Sequence, residues 1–408
     1  LNEKKEQRRE ITMESRGQAD VVIVGGGLTG ITAALRLAQG GASVVVVDLP
    51  LPEAEGRIGG FARFSGAKFS LPPAGMGLLP VAGSKERFDA TIDSVLSMLE
   101  LDRSMAQPSV DLREHDKLTL RSYGSIVLTP EQVTELLDAL SVRLGLAARL
   151  IHGRVTGIRP AAQQWIVEVS VPTGNIEISA NAIFYAAGRL SNDLLLNLGA
   201  HPVEGKGLDV GVRLEFLNKE ALSRLRSLGP DAKILHGNCR TFCLNSPGHV
   251  YRYKFGGFSI PGGVVASPNI SSANVGILLR VHDKSALLKK IQCKATKHEE
   301  LLLTESHRVH SGMGVDFAPA LAEVIGDNAC IEIQSFVNQL YEAGLIDLNS
   351  AHRIHMPLID WHWNTFALPY SHRTTLRNIY ALGDSAGHAR GLLQACMSGW
   401  LAAEEYLC

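Results

Sequence analysis

The 408-residue chain is short of several things, and each shortage excludes a class of protein. Its six cysteines are too few for a disulfide framework, so a reducing, cytoplasmic compartment is expected. Neither sign of charge is in excess: 40 Lys and Arg stand against 41 Asp and Glu, a formal net charge of -1. No broad field draws the protein to nucleic acid or to an acidic membrane, and neither partner is expected. The apolar stretch from Val21 to Leu35 has only about 15 uncharged residues where a spanning helix needs roughly 20, and Gly25-Gly26-Gly27 interrupts it. The opening LNEKKEQRREITMESRGQAD is charged and lacks the apolar core of a signal peptide. Two readings of it stand: an extension before a start at Met13, or a short solvated helix. No Cys/His pairs lie at zinc spacing, so no metal is expected, and no repeat or low-complexity segment stands out.

What is present is ordinary globular material, 45% hydrophobic and 20% charged. The length suggests about two domains, since one domain usually takes roughly 100–200 residues.

The most informative stretch is VVIVGGGLTGITAALRLAQGGASVVVVDLP, residues 21–50. Val21-Val22-Ile23-Val24 is a β-branched run of the kind buried in a parallel sheet. It enters Gly25-Gly26-Gly27-Leu28-Thr29-Gly30, which fits G-x-G-x-x-G. A helical pattern follows with Ile31, Ala34, Leu35 and Ala38 on one face, stopped at Gly40-Gly41. Ser43 to Val47 is a second buried strand, ending at Asp48. Gly25 supplies the tight turn, Gly27 lets a pyrophosphate approach the backbone, and Gly30 permits close helix–strand packing. Leu28 and Thr29 open the helix whose N-terminus faces the phosphates. Asp48 lies where an acid accepts hydrogen bonds from an adenosine ribose. A strand, glycine turn, helix, strand and acid in this order predict a bound dinucleotide.

Two later segments favour FAD over NAD. Asn378 to Asp384 (NIYALGD) is a strand running into Gly383-Asp384, followed by Gly391-Leu392-Leu393 at the start of a final helix. This resembles the second FAD motif of the glutathione-reductase-like flavoproteins. The resemblance implies that Asp384 holds the ribityl chain and that the last helix points its N-terminus at the flavin, where a positive helix end stabilises anionic reduced flavin. Between the two motifs, Leu150 to Ile158 reads as a strand entering the sheet, with Gln164–Val171 and Asn175–Ala180 as a hairpin. AIFYAAGR, residues 182–189, then resembles the strand and turn that close over FAD. That likeness places the backbone of Val155 at the adenine and of Ala187-Gly188 at the pyrophosphate. The loop after Asp48 carries Arg57, Gly59, Gly60, Phe61, Ser65, Gly66 and Lys68, and small residues concentrate where a backbone passes close to a flavin and its diphosphate.

Taken together, GGFARFSGAKFSL, AIFYAAGR, LDVGVRLEF, CRTFCLNSPG and NIYALGDSAGHARGLLQA resemble the FAD-dependent dehydrogenases and oxidoreductases of unassigned substrate, in the two-dinucleotide-motif flavoprotein superfamily. The likeness runs from about residue 20 to the end, except that residues 285–360 match nothing. It implies an α/β fold: a Rossmann-like FAD-binding domain from residues 20–200 and 361–408, after an extension of residues 1–19. A mainly antiparallel sheet with helices, residues 201–360, is inserted as a substrate domain. Within that insert 207–216, 250–255 and 274–281 alternate as strands, and 297–308 and 331–343 as helices.

Candidates for chemistry are fewer. Cys239 and Cys243 are spaced C-x-x-x-C rather than the C-x-x-C of thiol–disulfide flavoenzymes. Positions four apart share a face of a strand, so packing explains them. Arg240 and Arg213 have two readings each, a bidentate carboxylate binder or a structural ion pair. His352 and His355 flank an apparent loop, and His388, beside the inferred flavin helix, is the first acid–base candidate. No second strand–G-x-G-x-x-G–helix unit occurs. Either a small-molecule substrate meets the flavin directly, or NAD(P)H docks in the same cleft as electron donor. The expected activity is hydride transfer between a small organic substrate and flavin N5. An FAD monooxygenase and a non-catalytic binding protein of the same fold are the alternatives.

Overall fold

The computed structural model describes residues 16–49, 57–64, 67–108, 118–121, 123–189, 193–203, 207–255, 258–297, 306–309 and 318–408. Two seven-stranded sheets organise them. The first contains β1 (Arg16–Val24), β2 (Val44–Asp48), β6 (Arg149–His152), β7 (Arg154–Ala161), β8 (Gln164–Val171), β9 (Gly174–Tyr185) and β18 (Ile379–Ala381). β6, β2, β1 and β9 run parallel in that order, and β18 joins the far side of β9. β7, β8 and β9 form an antiparallel meander. This is an FAD/NAD(P)-binding Rossmann-like fold.

The apolar run of β1 is continuous because both faces are covered. Val21 and Ile23 belong to a core under α1 (Leu28–Gln39) and the C-terminal helix α7 (Leu392–Leu407), while Val22 and Val24 face the core on the meander side. The single apolar face read for the first helix is too narrow. Ile31, Ala33, Ala34, Leu35 and Leu37 are all buried, because α7 packs closely on the side away from the sheet. Gly399 makes that approach possible: a Cβ there would run into the backbone of Thr29. Helices α2 (Lys85–Met98) and α3 (Pro130–Ala147) complete this core.

Three sequence readings need correction here. The first strand begins at Arg16, and its extra residues pair with β9 from Glu177 onward. The strand read over 150–158 is two strands broken at Gly153, whose amide donates to Asp48 O at 2.9 Å; a Cβ at Gly153 would crowd Val169 and Ser170. The third concerns the second sheet, which borrows β4 (Thr119–Arg121) from the stretch assigned to the cofactor domain.

That second sheet has the order β16-β17-β10-β15-β12-β11-β4. Its remaining strands are β10 (Leu208–Phe216), β11 (Lys233–His236), β12 (Cys239–Asn245), β15 (Ala273–Val281), β16 (Ser306–Val309) and β17 (His352–Asp360). All neighbours are antiparallel. β10 is almost wholly buried, with α6 (Asp327–Glu342) packed against the sheet and α5 (Ala318–Ile325) in the same core. The helix expected over 297–308 is not found: α4 (Lys284–Lys297) ends where it was to begin, and 306–309 is strand. Residues 298–305 lie outside the described residues. A hairpin of β13 (Gly248–Phe255) and β14 (Phe258–Val265) and a small pair, β3 (Lys68–Ser70) with β5 (Ser125–Val127), lie outside both large sheets.

Candidate functional site

The glycine turn joins β1 to α1. Gly25 has φ +109°, and a Cβ on it would lie 2.5 Å from Ala186 O. Gly30 sits so tightly that a Cβ would run into Gly25 O. Gly27 differs. It caps α1 with an ordinary φ of -73°, offers no side chain to the helix amides, and a Cβ there would meet nothing within 4 Å. The amides of the first turn therefore face open space, the arrangement that binds phosphate. Leu28 and Thr29 are buried and offer backbone only.

Four further segments converge on this turn. The amide of Gly26 donates to Asp48 Oδ1 at 2.7 Å, which fixes the carboxylate beside the turn. Burial raises the Asp48 pKa, against the stabilising bond from Gly26. The amide of Gly59 donates to Gly26 O at 2.8 Å, bringing Gly59 and Gly60 alongside. Ala186 N donates to Val24 O at 2.8 Å, and the chain then turns at Gly188 with φ +68° into a second position where a Cβ would meet nothing. Ala187 lies between them. Ser385 Oγ closes this part by donating to Gly188 O at 3.0 Å.

The C-terminal motif is locked from behind. Leu382 N donates to Tyr185 O at 2.9 Å, Gly383 (φ +61°) lies against Thr29, and Trp363 Nε1 donates to Asp384 O at 2.8 Å. Gly383 N donates to Ser398 Oγ at 2.8 Å, and His372 Nε2 lies 2.8 Å from the same oxygen. Asp384 therefore rests on a layer from α7. Burial raises its pKa, partly offset by Arg189. Gly391 (φ +124°) caps α7, and Leu392 and Leu393 begin it, Leu393 fully buried.

These residues fit FAD. Two backbone positions open onto free space, Gly27 and Gly188, and carboxylates stand at Asp48 and at Asp384, so the groups that a dinucleotide's diphosphate, ribose and ribityl chain require are all present. FMN would leave Asp48 without a ribose.

Other expected contacts are placed elsewhere. Arg57 lies 3.5 Å from Asp138 on α3, an ion pair exposed to solvent. Lys68 is buried and pairs with Asp231 at 3.1 Å while donating to Leu244 O, so its ammonium ties the small β3–β5 pair to the second sheet. Phe61 is 41% exposed and meets Tyr251 and Tyr253 edge-on at 6.4 and 6.0 Å. Val155 is two residues beyond Gly153, close to the end of β2. Ser65 and Gly66 lie outside the described residues.

The candidates for chemistry separate. Arg213 is completely buried and donates to Pro261 O (3.1 Å), Cys243 O (3.2 Å) and Asn274 Oδ1 (2.7 Å). It holds the hairpin to the sheet and cannot touch a substrate. His388 points its Nε2 at Ser371 O, 2.9 Å away, with His372 edge-on at 5.5 Å. That bond turns the ring toward the α7 layer behind Asp384. His352 and His355 are strand residues of β17, not loop residues, and His355 lies 2.8 Å from Glu215. Arg240 is bonded to Asp209 and lies 3.9 Å from Asp360.

Cys239 and Cys243 do not share a face. Cys243 has φ +48° at a register break between Phe242 and Asn245, so the bulge turns it away. Cys239 Sγ donates to Glu332 O on α6, and Cys243 Sγ to Gly263 O on β14, both at 3.7 Å. Burial pushes the Cys239 thiol up to about 12. For Cys243 burial acts upward too, but Lys68 and Arg213 outweigh it and lower the pKa.

Sequence reasoning missed Arg189, Arg390, Asp209 and Asp360. Arg390 bonds to Asp360 and lies 3.9 Å from Asp384, and Arg189 lies 4.0 Å from Asp360. A usable signal was present: each arginine directly follows a cofactor motif, in Ala187-Gly188-Arg189 and in His388-Ala389-Arg390. Among the described residues no group of His, Cys, Asp and Glu could hold a metal ion, and no helix is long and apolar enough to cross a membrane.

Residues 20–188 match the family model described as FAD dependent oxidoreductase. With the geometry above, the cofactor is FAD. No curated protein matches the sequence. Among solved structures, the anhydrotetracycline hydroxylase OxyS from Streptomyces rimosus is 15% identical, with 95% of this chain and 63% of that one covered and a TM-score of 0.40. The flavin-dependent halogenase CmlS is 15% identical, covering 96% of this chain and 57% of that one at a TM-score of 0.46. For p-nitrophenol 4-monooxygenase PnpA from Pseudomonas putida DLL-E4 the figures are 15%, 96%, 79% and 0.44. This chain spans less than two thirds of the first two.

Proposed function

We propose that the protein is an FAD-dependent oxidoreductase of the dehydrogenase or reductase type, acting on a small organic substrate held between the cofactor and the antiparallel sheet. The observation that carries this is the convergence of Gly25–Gly30, Asp48, Ala187-Gly188 and Gly383-Asp384 beside a second sheet that presents Arg240. Bound FAD supplies hydride transfer at N5 of the flavin. The chain's own part is to hold and shield. The first-turn amides of α1 take the diphosphate, Asp48 accepts from the ribose, and Asp384, backed by Ser398 and His372, orients the ribityl chain. The N-terminal amides of α7 would serve the flavin, where negative charge collects on reduction. Lys68 with Asp231, and Arg390 with Asp360, close the cleft against water, which strengthens every charge interaction inside it.

Purified protein should be yellow and release FAD on acid precipitation. Anaerobic mixing with a panel of candidate organic donors, and separately with NADH and NADPH, should bleach the flavin with at least one donor. Protein that neither contains FAD nor takes it up would end the cofactor assignment. Holoprotein that no organic compound reduces or reoxidises would end the dehydrogenase reading alone.

A further inference from the structure

The charged cluster beside Asp384 carries more cationic groups than its own carboxylates neutralise. Arg240 and Arg280 both bond to Asp209. Arg390 bonds to Asp360, with Arg240 at 3.9 Å and Arg189 at 4.0 Å from the same carboxylate. Counting Asp384 as ionised, the guanidinium groups of Arg189, Arg240, Arg280 and Arg390 still exceed the carboxylates of Asp209, Asp360 and Asp384 by one positive charge. Arg240 Nη1 is buried and has no hydrogen-bond partner. A buried donor without a partner costs about 1–3 kcal/mol, more for a charged group, so the site is poised for an acceptor.

Aromatic faces surround these cations. The Arg240 guanidinium lies 5.5 Å from the centre of Phe242. That of Arg390 lies 5.6 Å from Phe242, 6.0 Å from Trp361 and 5.1 Å from Trp363. Trp361 and Trp363 stack on each other at 5.3 Å. Such flat walls accept a planar ring, and a guanidinium fork accepts a carboxylate through paired bonds.

We propose that the substrate is an aromatic carboxylate whose carboxyl group is held by Arg240 and Arg390 and whose ring lies beside the partly exposed Phe242 and Trp361. The inference rests on the FAD reading of the adjoining site and adds the class of substrate to it. A surplus of one positive charge suits a carboxylate better than a dianionic phosphate ester. The other available anion is the cofactor's diphosphate. That group has its own place at the amides following Gly27, whereas Arg240 stands on β12 of the other sheet.

The test uses FAD-loaded protein and reads the perturbation of the flavin absorbance on titration with benzoate, with neutral benzamide, and with inorganic phosphate. Benzoate should bind saturably, and benzamide and phosphate each ~10-fold more weakly or worse, the scale of one charged hydrogen bond. Arg240→Gln should lose benzoate affinity by a similar factor, with Arg240→Lys between the two, while the FAD content of both variants stays that of the wild type. Equal binding of benzamide would show that charge is not recognised, and equal binding of phosphate that the ring is not; either overturns the proposal. It also falls if Arg240→Gln folds, keeps its FAD and binds benzoate as tightly as the wild type, since the guanidinium then takes no part in holding the carboxylate. The wild-type titrations decide the matter even if the variant does not fold, and a flavin spectrum in the starting protein keeps the cofactor reading separate.

Discussion

Asp209 and Asp360 are register partners on β10 and β17, and both are almost completely buried. Like charges directly opposite on adjacent strands repel, so the pair survives only because Arg240 and Arg280 of this sheet and Arg189 and Arg390 from the turns beside the cofactor motifs surround it. Asp360→Ala should leave Arg390 and its neighbours uncompensated and cost about 3–5 kcal/mol, the scale for breaking a buried ion pair. Urea denaturation would measure it, and a loss under about 1 kcal/mol, as for solvent-exposed pairs, would show that the cluster is hydrated.

Gly27 and Gly30 should respond oppositely to a single methyl group. Gly27→Ala has an ordinary φ and open space to enter, so stability should hold while FAD affinity falls about 10-fold or more through the blocked phosphate approach. Gly30→Ala drives its Cβ into Gly25 O and should destabilise the fold by about 1–3 kcal/mol or more. Thermal melts beside FAD titrations separate the two effects, and equal behaviour of the variants would contradict the assignment.

Asp48 is held in its ionised form against burial, which raises its pKa above 3.8. Relative to the unfolded chain the folded state favours the neutral form, so the cost of ionising the carboxylate is absent below pH 3.8 and grows as pH rises toward the folded pKa. Asp48→Asn can still accept from Gly26, and FAD-free protein should be as stable or more stable at neutral pH. Its FAD binding should weaken by about 1.5–3 kcal/mol, the value of a hydrogen bond to a charged group. Unchanged FAD affinity would reduce Asp48 to a strand-end cap.

His372 is fully buried behind the C-terminal motif, and burial first, then His388, holds its pKa well below 6.5. The unfolded chain therefore binds a proton that the folded one refuses. Stability contributed by neutral His372 is complete above pH 6.5 and is lost as pH falls toward the folded value. Ser398→Ala would remove the hydroxyl shared by Gly383 N and His372, costing about 1–3 kcal/mol for the unpaired groups and loosening Asp384. Melting temperatures from pH 5 to 8 would check both, and a wild-type profile flat below pH 6.5 would contradict the buried neutral histidine.

Cys239 and Cys243 are held apart by the bulge in β12 and bond to different elements. Anaerobic dithionite titration should bleach the flavin completely at two electrons per FAD, in the wild type and in Cys239→Ser/Cys243→Ser alike. Uptake of four electrons that drops to two in the double variant would establish a dithiol instead.

Local chemistry made the cofactor and the fold that carries it legible in advance. A β-branched strand, Gly25, Gly27 and Gly30 at fixed spacing and Asp48 after the second strand are constraints within about 30 residues, set by backbone sterics and the helix terminus. The same applies to Gly383-Asp384 before a final helix, because the motif is continuous in the chain. For Lys68 and Arg57 the sequence could not name the acid each meets: a long cationic side chain near a motif does not specify its partner, and Asp231 and Asp138 are far away in sequence.

Only the tertiary structure decided what lies opposite the cofactor. Arg213 and Arg240 looked equivalent as strand arginines, yet one is sealed among carbonyls and an amide and the other pairs with Asp209 beside Asp360, because side-chain direction depends on how β10 and β12 pack against their neighbours. The turning of Cys243 off its strand arose from a register break that no spacing rule reveals. The Arg189, Arg240 and Arg390 cluster around Asp360 joins four distant stretches of chain. A sequence specifies the backbone turns that sterics enforce between neighbours. Which charges meet across a cleft is settled by burial, where a charge must find a partner wherever the fold brings one.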